Sequence, residues 1–331
     1  MIAEPEASAT GYYLDSLLAP LAPWLMQADV TDIYINREQE IWVETVGGAI
    51  TRHPCPALSL PVLARLARQV AAASSQGINR AHPLLAASLP DGARIQVIGP
   101  PATRHGYAFA IRRQVAAQLT LHDMEQQGAF ASADPTARDP GADAALLPVV
   151  PAEIAQTLRA AVADKRNILI SGGTSSGKTT FLNALLREVP DHERLVLIED
   201  TPELELTHAN CVATLAVRGD LGEAQVSAED LLIAALRMRP DRIILGELRG
   251  HEAFTFLRAV NTGHPGSMTT IHADTPERAI EQLVLLVLQS GSRLSREDVR
   301  HYVRHSIDLF VQLGRVKGRR CVTQVLARAS L

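Results

Sequence analysis

Apolar and polar positions along this chain recur with two periods, and the periods divide it. Residues 30–35 and 41–46 alternate every second position, the period of a half-buried strand. The polar run 36–40 between them reads as a turn, and Gly47-Gly48 closes a hairpin. An amphipathic helix is expected over 14–27. A second runs from Pro61, in its first turn, to about Ser74, with Leu60, Leu63, Leu66, Ala67 and Val70 facing inward. Residues 94–98 and 107–113 add a strand pair. These elements predict a small mixed α/β domain over 1–114.

From about residue 152 the pattern changes to apolar runs at 168–171, 195–199, 211–218, 242–245 and 268–272, interleaved with helical segments. Strands alternating with helices predict a parallel, doubly wound sheet over 151–331. Between the two regions, 115–150 shifts toward Ala, Asp, Gly, Gln and Pro. It reads as a mobile or partner-dependent linker carrying one short helix at 121–127. A length of 331 residues suits about two domains, each with its own core. No internal repeat is visible.

Composition narrows the classes. An apolar fraction of 47% and a charged fraction of 21% are those of a folded chain. A net charge of −4 gives no overall electrostatic case for nucleic-acid binding, and with 4% aromatic residues the chain lacks clear base-stacking platforms, which disfavours a helicase. Cys55, Cys211 and Cys321 are scattered and odd in number, which fits a reducing compartment and neither a disulfide framework nor zinc. The acidic amino terminus lacks the basic-then-apolar pattern of a secretory signal, and no uninterrupted apolar run reaches the length of a membrane span. A cytoplasmic location follows, with any membrane attachment peripheral.

The chemistry begins at Gly172, Gly173, Thr174, Ser175, Ser176, Gly177, Lys178, Thr179 and Thr180, a full match to G-x-x-x-x-G-K-[ST] set between an apolar strand and a helical pattern. Glycines let backbone N–H groups turn toward phosphates, with the positive end of a helix behind them. Lys178 would reach the β and γ phosphates of ATP, and Thr179 would ligate Mg²⁺.

Three further clusters follow. The strand at 195–199 ends in Glu199-Asp200-Thr201-Pro202-Glu203, and ligands of open α/β sheets bind outside the carboxyl ends of strands. Glu199 and Asp200 could hold Mg²⁺, directly or through water, and Glu203 could polarise the attacking water. The strand at 242–245 leads to Glu247, placed to position water or act as general base beside the γ-phosphate. At 263–274, Thr269, Thr270 and His272 are polar positions in a strand expected to be buried, which suits sensing phosphate or coupling neighbours.

Taken together, GGTSSGKTT, LIEDTPELEL, LRMRPDRIILGELRG and NTGHPGSMTTIHAD resemble the Walker A, Asp box, Walker B and His box of the secretion traffic ATPases, most closely the VirB/Trb class of type IV secretion and conjugal transfer. DVTDIYIN, LPDGARIQVIGPP and FAIRR resemble that family's amino-terminal domain, so the similarity covers about 12–315. The chain lacks the paired-cysteine zinc motif of the type II pseudopilus branch. The resemblance implies a RecA-like P-loop NTPase fold and a homo-hexameric ring that hydrolyses Mg-ATP. It would lie at the cytoplasmic face of the inner membrane and work with type IV secretion components and coupling ATPases, without direct nucleic-acid binding. It assigns nucleotide-contacting arginines among Arg94, Arg112 and Arg113 in the first domain and Arg237 and Arg239 before the Walker B strand, without saying which acts as the finger. Two other readings stay open at this stage: a pilus assembly or retraction motor, and a nucleotide-switch scaffold with little turnover.

Overall fold

The computed structural model describes residues 9–46, 48–113, 119–136, 145–206, 208–217, 221 and 224–328. The chain forms two compact units, one of residues 1–115 with 217–226, the other of 116–216 with 227–331.

The first unit holds α1 (Ala9–Leu18), α2 (Ala22–Leu25), β1 (Val30–Ile35), β2 (Glu40–Thr45), β3 (Ile50–Pro54), α3 (Leu60–Ala73), β4 (Leu84–Ser88), β5 (Arg94–Ile98) and β6 (Ala108–Arg112). Its strands make one antiparallel sheet in the order β3-β2-β1-β6-β5-β4. Alternation works as the sequence suggested: Ile33, Ile35, Ile41, Ile95, Val97 and Ile111 turn to one face, where Leu63, Leu66 and Val70 of α3 cover them. The helix expected over 14–27 is broken, because Pro20 and Pro23 cannot donate to the preceding turn; a 3-10 turn separates α1 from α2. Leu60, expected inward, is 42% exposed at the first position of α3, ahead of the buried stripe. β3 and β4 were not anticipated; both are edge strands, whose outer positions need not be apolar.

The second unit holds α4 (Leu121–Gln126), β7 (Leu146–Pro148), α5 (Ile154–Ala163), β8 (Ile168–Gly172), α6 (Lys178–Leu186), β9 (Leu195–Glu199), β10 (Cys211–Leu215), α7 (Ala228–Ala235), β11 (Arg242–Leu245), α8 (Glu252–Asn261), β12 (Met268–Ile271), α9 (Pro276–Gln289), α10 (Arg296–Ser306), β13 (Leu309–Val316) and β14 (Arg319–Arg328). The sheet order is β10-β9-β11-β12-β8-β13-β14-β7. The first six run parallel, β14 runs antiparallel to β13, and β7, antiparallel to β14, runs in the direction of the first six. Apolar clusters lie on both faces, which is why β8, β9 and β11 read as mostly apolar runs rather than alternating ones. No helix among the described residues is long and apolar enough to cross a membrane.

The linker expected over 115–150 is corrected where it is described. Leu121, Met124, Phe130 and Val149 are buried in the core of the second unit, and β7 adds an edge strand beside β14. A capping box between Thr120 and Asp123 starts α4. Residues 115–118 and 137–144 of that stretch lie outside the described residues. β13 and β14 were also missed. They form a hairpin closed by Lys317 and Gly318, both at positive φ (50° and 80°), the backbone a two-residue hairpin turn requires. The strand expected over 211–218 ends at Leu215; residue 218 lies outside the described residues.

Candidate functional site

The phosphate-loop sequence folds as a strand, a tight loop and a helix. β8 ends at Gly172 and α6 begins at Lys178. A Cβ on Gly172 would lie 2.4 Å from Ser176 Oγ and 3.0 Å from the Leu313 carbonyl, so only glycine admits this closure. Gly177 caps α6 at φ 95°, and Ser175 at the crest has φ 58°. Alternating left- and right-handed residues turn successive N–H groups into one concavity, an anion cradle at the start of a helix.

Lys178 is 9% exposed. Its Nζ donates to the carbonyls of Gly172 (2.9 Å) and Gly173 (3.2 Å) and lies 3.3 Å from His272 Nδ1. Burial lowers its pKa from the usual lysine value, the Glu247 charge opposes that, and Arg249 adds to the lowering. An ammonium held by loop carbonyls in a partly dry site is poised to exchange them for phosphate oxygens.

Across the loop, His272 just after β12 brings Nε2 to 2.8 Å from Oε1 of Glu247, which follows β11. That oxygen is buried and accepts no aligned hydrogen bond. The other oxygen, Oε2, accepts from Arg249 Nε at 2.6 Å, and Arg249 Nη1 also reaches Asp200 Oδ2 at 3.2 Å. Thr270 joins β12 to the Walker B turn by donating to the Gly246 carbonyl at 2.8 Å, while its own carbonyl accepts from Leu248 N at 2.9 Å. Of the two buried threonines of this strand, Thr270 is the one that bonds to a neighbouring strand's turn.

The acidic loop after β9 divides its labour. Glu199 is 4% exposed, and its Oε1 accepts from the backbone N–H groups of Glu203 (2.8 Å) and Leu204 (2.7 Å), fixing the loop. Glu203 Oε2 accepts from Thr179 Oγ1 at 2.9 Å. Asn183 on α6 holds the same loop from below, donating to the Glu203 carbonyl at 3.1 Å and accepting from Glu205 N at 3.0 Å.

The structure therefore brings Lys178, Thr179, Asp200, Glu203, Glu247 and His272 together around one cradle. Arg94, Arg112 and Arg113 belong to the other unit. There Arg112 lies opposite both Arg94 and Asp32 in the sheet, with its Nε 3.9 Å from the Asp32 carboxylate. Arg113 donates from Nη1 to the Val30 carbonyl at 3.2 Å and to that of Gln27. Burial raises the Asp32 pKa above its usual value, against the lowering effects of Thr31 and Arg112.

Sequence reading missed three participants. Asn183 was readable as a polar residue among the buried Phe181, Leu182, Ala184 and Leu185. Arg249 stood inside the quoted GELRG motif without a role. Gln312, 4% exposed on β13, donates to the Ala273 carbonyl at 3.1 Å and accepts from Ser171 Oγ at 2.5 Å, tying the His box to the end of β8. Beside it, a cavity of about 310 Å³ is lined by Gly173, Thr174, Ser176, Asp274, Gln312, Arg315 and Thr323.

The donor set fits a nucleotide and a hard cation: a backbone cradle with an ammonium for phosphate, and hydroxyl and carboxylate oxygens for Mg²⁺.

The chain is similar to known proteins over nearly all of its length. The chain is 38% identical to the type IV secretion system protein VirB11 of Bartonella henselae, covering 93% of this chain and 91% of that protein. It is 38% identical to the type IV secretion system protein PtlH of Bordetella pertussis, covering 99% and 98%. Among solved structures, the ATPase DotB of Legionella pneumophila aligns over 98% of this chain and 82% of its own with a TM-score of 0.63 at 20% identity, a likeness of fold. The family described as Type II/IV secretion system protein matches residues 16–328, and the chain belongs to it.

Proposed function

We infer that this chain is an ATP-hydrolysing motor subunit of a type IV secretion system, working as a homo-hexameric ring at the cytoplasmic face of the inner membrane. The observation that carries the hydrolytic reading is the buried Glu247 Oε1, without an aligned donor and facing the cradle that holds Lys178. A buried carboxylate oxygen without an aligned donor, beside a phosphate site, is placed to take a proton from an attacking water. Arg249 on the other oxygen fixes the carboxylate's orientation. Lys178 leaves its loop carbonyls to neutralise phosphate charge, and Thr179 with Glu203 and Asp200 forms the oxygen-rich side of the cradle where Mg²⁺ would be held. Bound there, Mg²⁺ would supply charge neutralisation on the phosphate oxygens. His272 touches both Glu247 and Lys178, so it couples the state of one to the position of the other. Arg94, Arg112 and Arg113 are proposed as cations of the first domain that act on the same nucleotide, and Arg237 and Arg239 remain further candidates for the finger.

The test is phosphate release by the purified full chain with ATP and Mg²⁺, beside its native mass with and without nucleotide. Sustained turnover by a six-subunit particle is expected. Stoichiometric binding without turnover would make the chain a switch.

A further inference from the structure

The phosphate loop has two unlike flanks. β12 lies on one side of β8 and brings the Glu247, His272 and Asp200 side of the site; β13 lies on the other, followed by β14. That second flank is basic. Arg315 and Arg320 are directly opposed in the β13–β14 register, so their side chains leave the same face of the hairpin. The next pair, Val316 and Arg319, points to the other face.

Both arginines meet the loop where its backbone turns left-handed. Arg315 Nη2 donates to the Ser175 carbonyl at 3.2 Å, at the crest. Arg320 Cδ lies 3.4 Å from where a Cβ on Gly177 would stand, at the first turn of α6. Among the described residues Arg315 has no carboxylate partner. Two permanent cations thus bracket the loop on the side away from the hydrolytic carboxylates.

We propose that Arg320 contacts the α-phosphate of the bound nucleotide, and that Arg315 is a positioning residue bracing the loop crest through Ser175. Lys178, and a cation that the acidic flank would hold, place the β and γ phosphates on that side, which leaves the nucleoside end of the ligand to the basic one. Charge on the α-phosphate does not change in hydrolysis, so a contact there binds ATP and ADP equally and acts on affinity rather than on the chemical step. The inference rests on reading Gly172–Thr180 as the phosphate loop.

The experiment measures dissociation constants of the full chain for ADP and for a non-hydrolysable ATP analogue. Arg320→Ala should weaken both by the same factor, about tenfold or more, as expected for loss of a charge-assisted hydrogen bond. Arg320→Lys should recover part of that loss, and Arg315→Ala should weaken both ligands by a smaller common factor. Arg319→Ala removes the same charge from the opposite face and should change either constant less than about twofold, the size of a screened surface effect. Loss confined to the triphosphate analogue would overturn the proposal, because it would place Arg320 on the γ-phosphate. Equal losses for Arg319→Ala and Arg320→Ala would overturn it in favour of a diffuse field, and unchanged binding in Arg320→Ala would remove it outright. Should Arg320→Ala fail to fold, judged by circular dichroism and native mass, Arg320→Gln carries the same comparison. Lys178→Ala separates the premises: nucleotide binding unaffected by that change would mean the loop itself had been misread.

Discussion

Thr179 donates its hydroxyl hydrogen bond to the Glu203 carboxylate at 2.9 Å, joining the phosphate loop to the acidic loop after β9. The bond turns the hydroxyl proton toward Glu203 and leaves the oxygen lone pairs to face the site, the orientation a Mg²⁺ ligand needs. Asn183 and Glu199 hold the backbone around Glu203 in place.

Glu203→Ala should therefore raise the Mg²⁺ concentration for half-maximal ATPase activity by about tenfold to a hundredfold, the usual cost of losing a partner behind a metal ligand. A Mg²⁺ titration at fixed ATP measures this. A fall in kcat at saturating Mg²⁺ with an unshifted midpoint would instead assign Glu203 to the attacking water.

Lys178→Ala should lower kcat by about 10²-fold or more, in the range for losing a charge contact made in the transition state. The fold should survive, because burial already disfavours this ammonium and the carbonyls it donates to belong to its own loop. Circular dichroism beside the ATPase assay checks both halves.

Glu247→Gln should keep nucleotide binding and abolish most turnover, since the amide keeps the shape and loses the basic oxygen. Binding of a non-hydrolysable analogue, compared with single-turnover hydrolysis, decides it. Lost binding would make Glu247 a structural or metal-holding group.

Most of this site was legible because its pieces lie at strand ends: Gly172 closing β8, Glu199 closing β9, Glu247 after β11 and His272 after β12. Their apolar strands, buried on both faces, are the easiest sequence signal to read. What escaped depends on long-range pairing. β13 and β14 carry polar Gln312, Arg315, Arg320 and Gln324 in strands whose place beside β8 no local pattern reveals. Glu199 looked like a metal ligand because it is acidic at a strand end; only the folded loop shows its oxygen capping two backbone amides. The stretch 115–150 looked like a linker because Ala, Asp and Pro dominate it, while its few large apolar residues are those that enter the core.

At the opposite end of the sheet from the site, Arg242 is fully buried and bidentate to Glu193, at 2.7 and 3.0 Å, with a further bond to the Val162 carbonyl at 2.7 Å. Burial pushes the Glu193 carboxyl up, but the hydrogen bond and charge of Arg242, then Lys165, outweigh it and hold the pKa below its usual value. A depressed carboxylate adds stability that is fully present above its unfolded pKa, near 4.5, and is lost as pH falls through the folded value. Glu193→Gln should flatten the acid side of the stability-versus-pH curve. Glu193→Ala should cost about 3–5 kcal/mol at neutral pH by stranding the guanidinium. Urea unfolding between pH 3 and pH 7, taken as an approximate working range, reads both.

The last prediction concerns where the second unit begins. A fragment starting at Pro151 keeps the cradle and every residue around it, yet it omits Leu121, Met124, Phe130 and Val149 from the core and β7 from the sheet. Burying side chains of this size contributes about 1.5–3 kcal/mol each, so their combined loss rivals the roughly 5–15 kcal/mol net stability of a whole domain. Removing β7 also uncovers the edge of β14, a ready template for pairing with another chain. The fragment from Pro151 should therefore be aggregation-prone and melt well below one starting at Ala116, which should fold cooperatively and bind ADP. Thermal melts and size-exclusion profiles of the two fragments decide the matter. Equal melting temperatures would return residues 116–150 to the role of a dispensable linker.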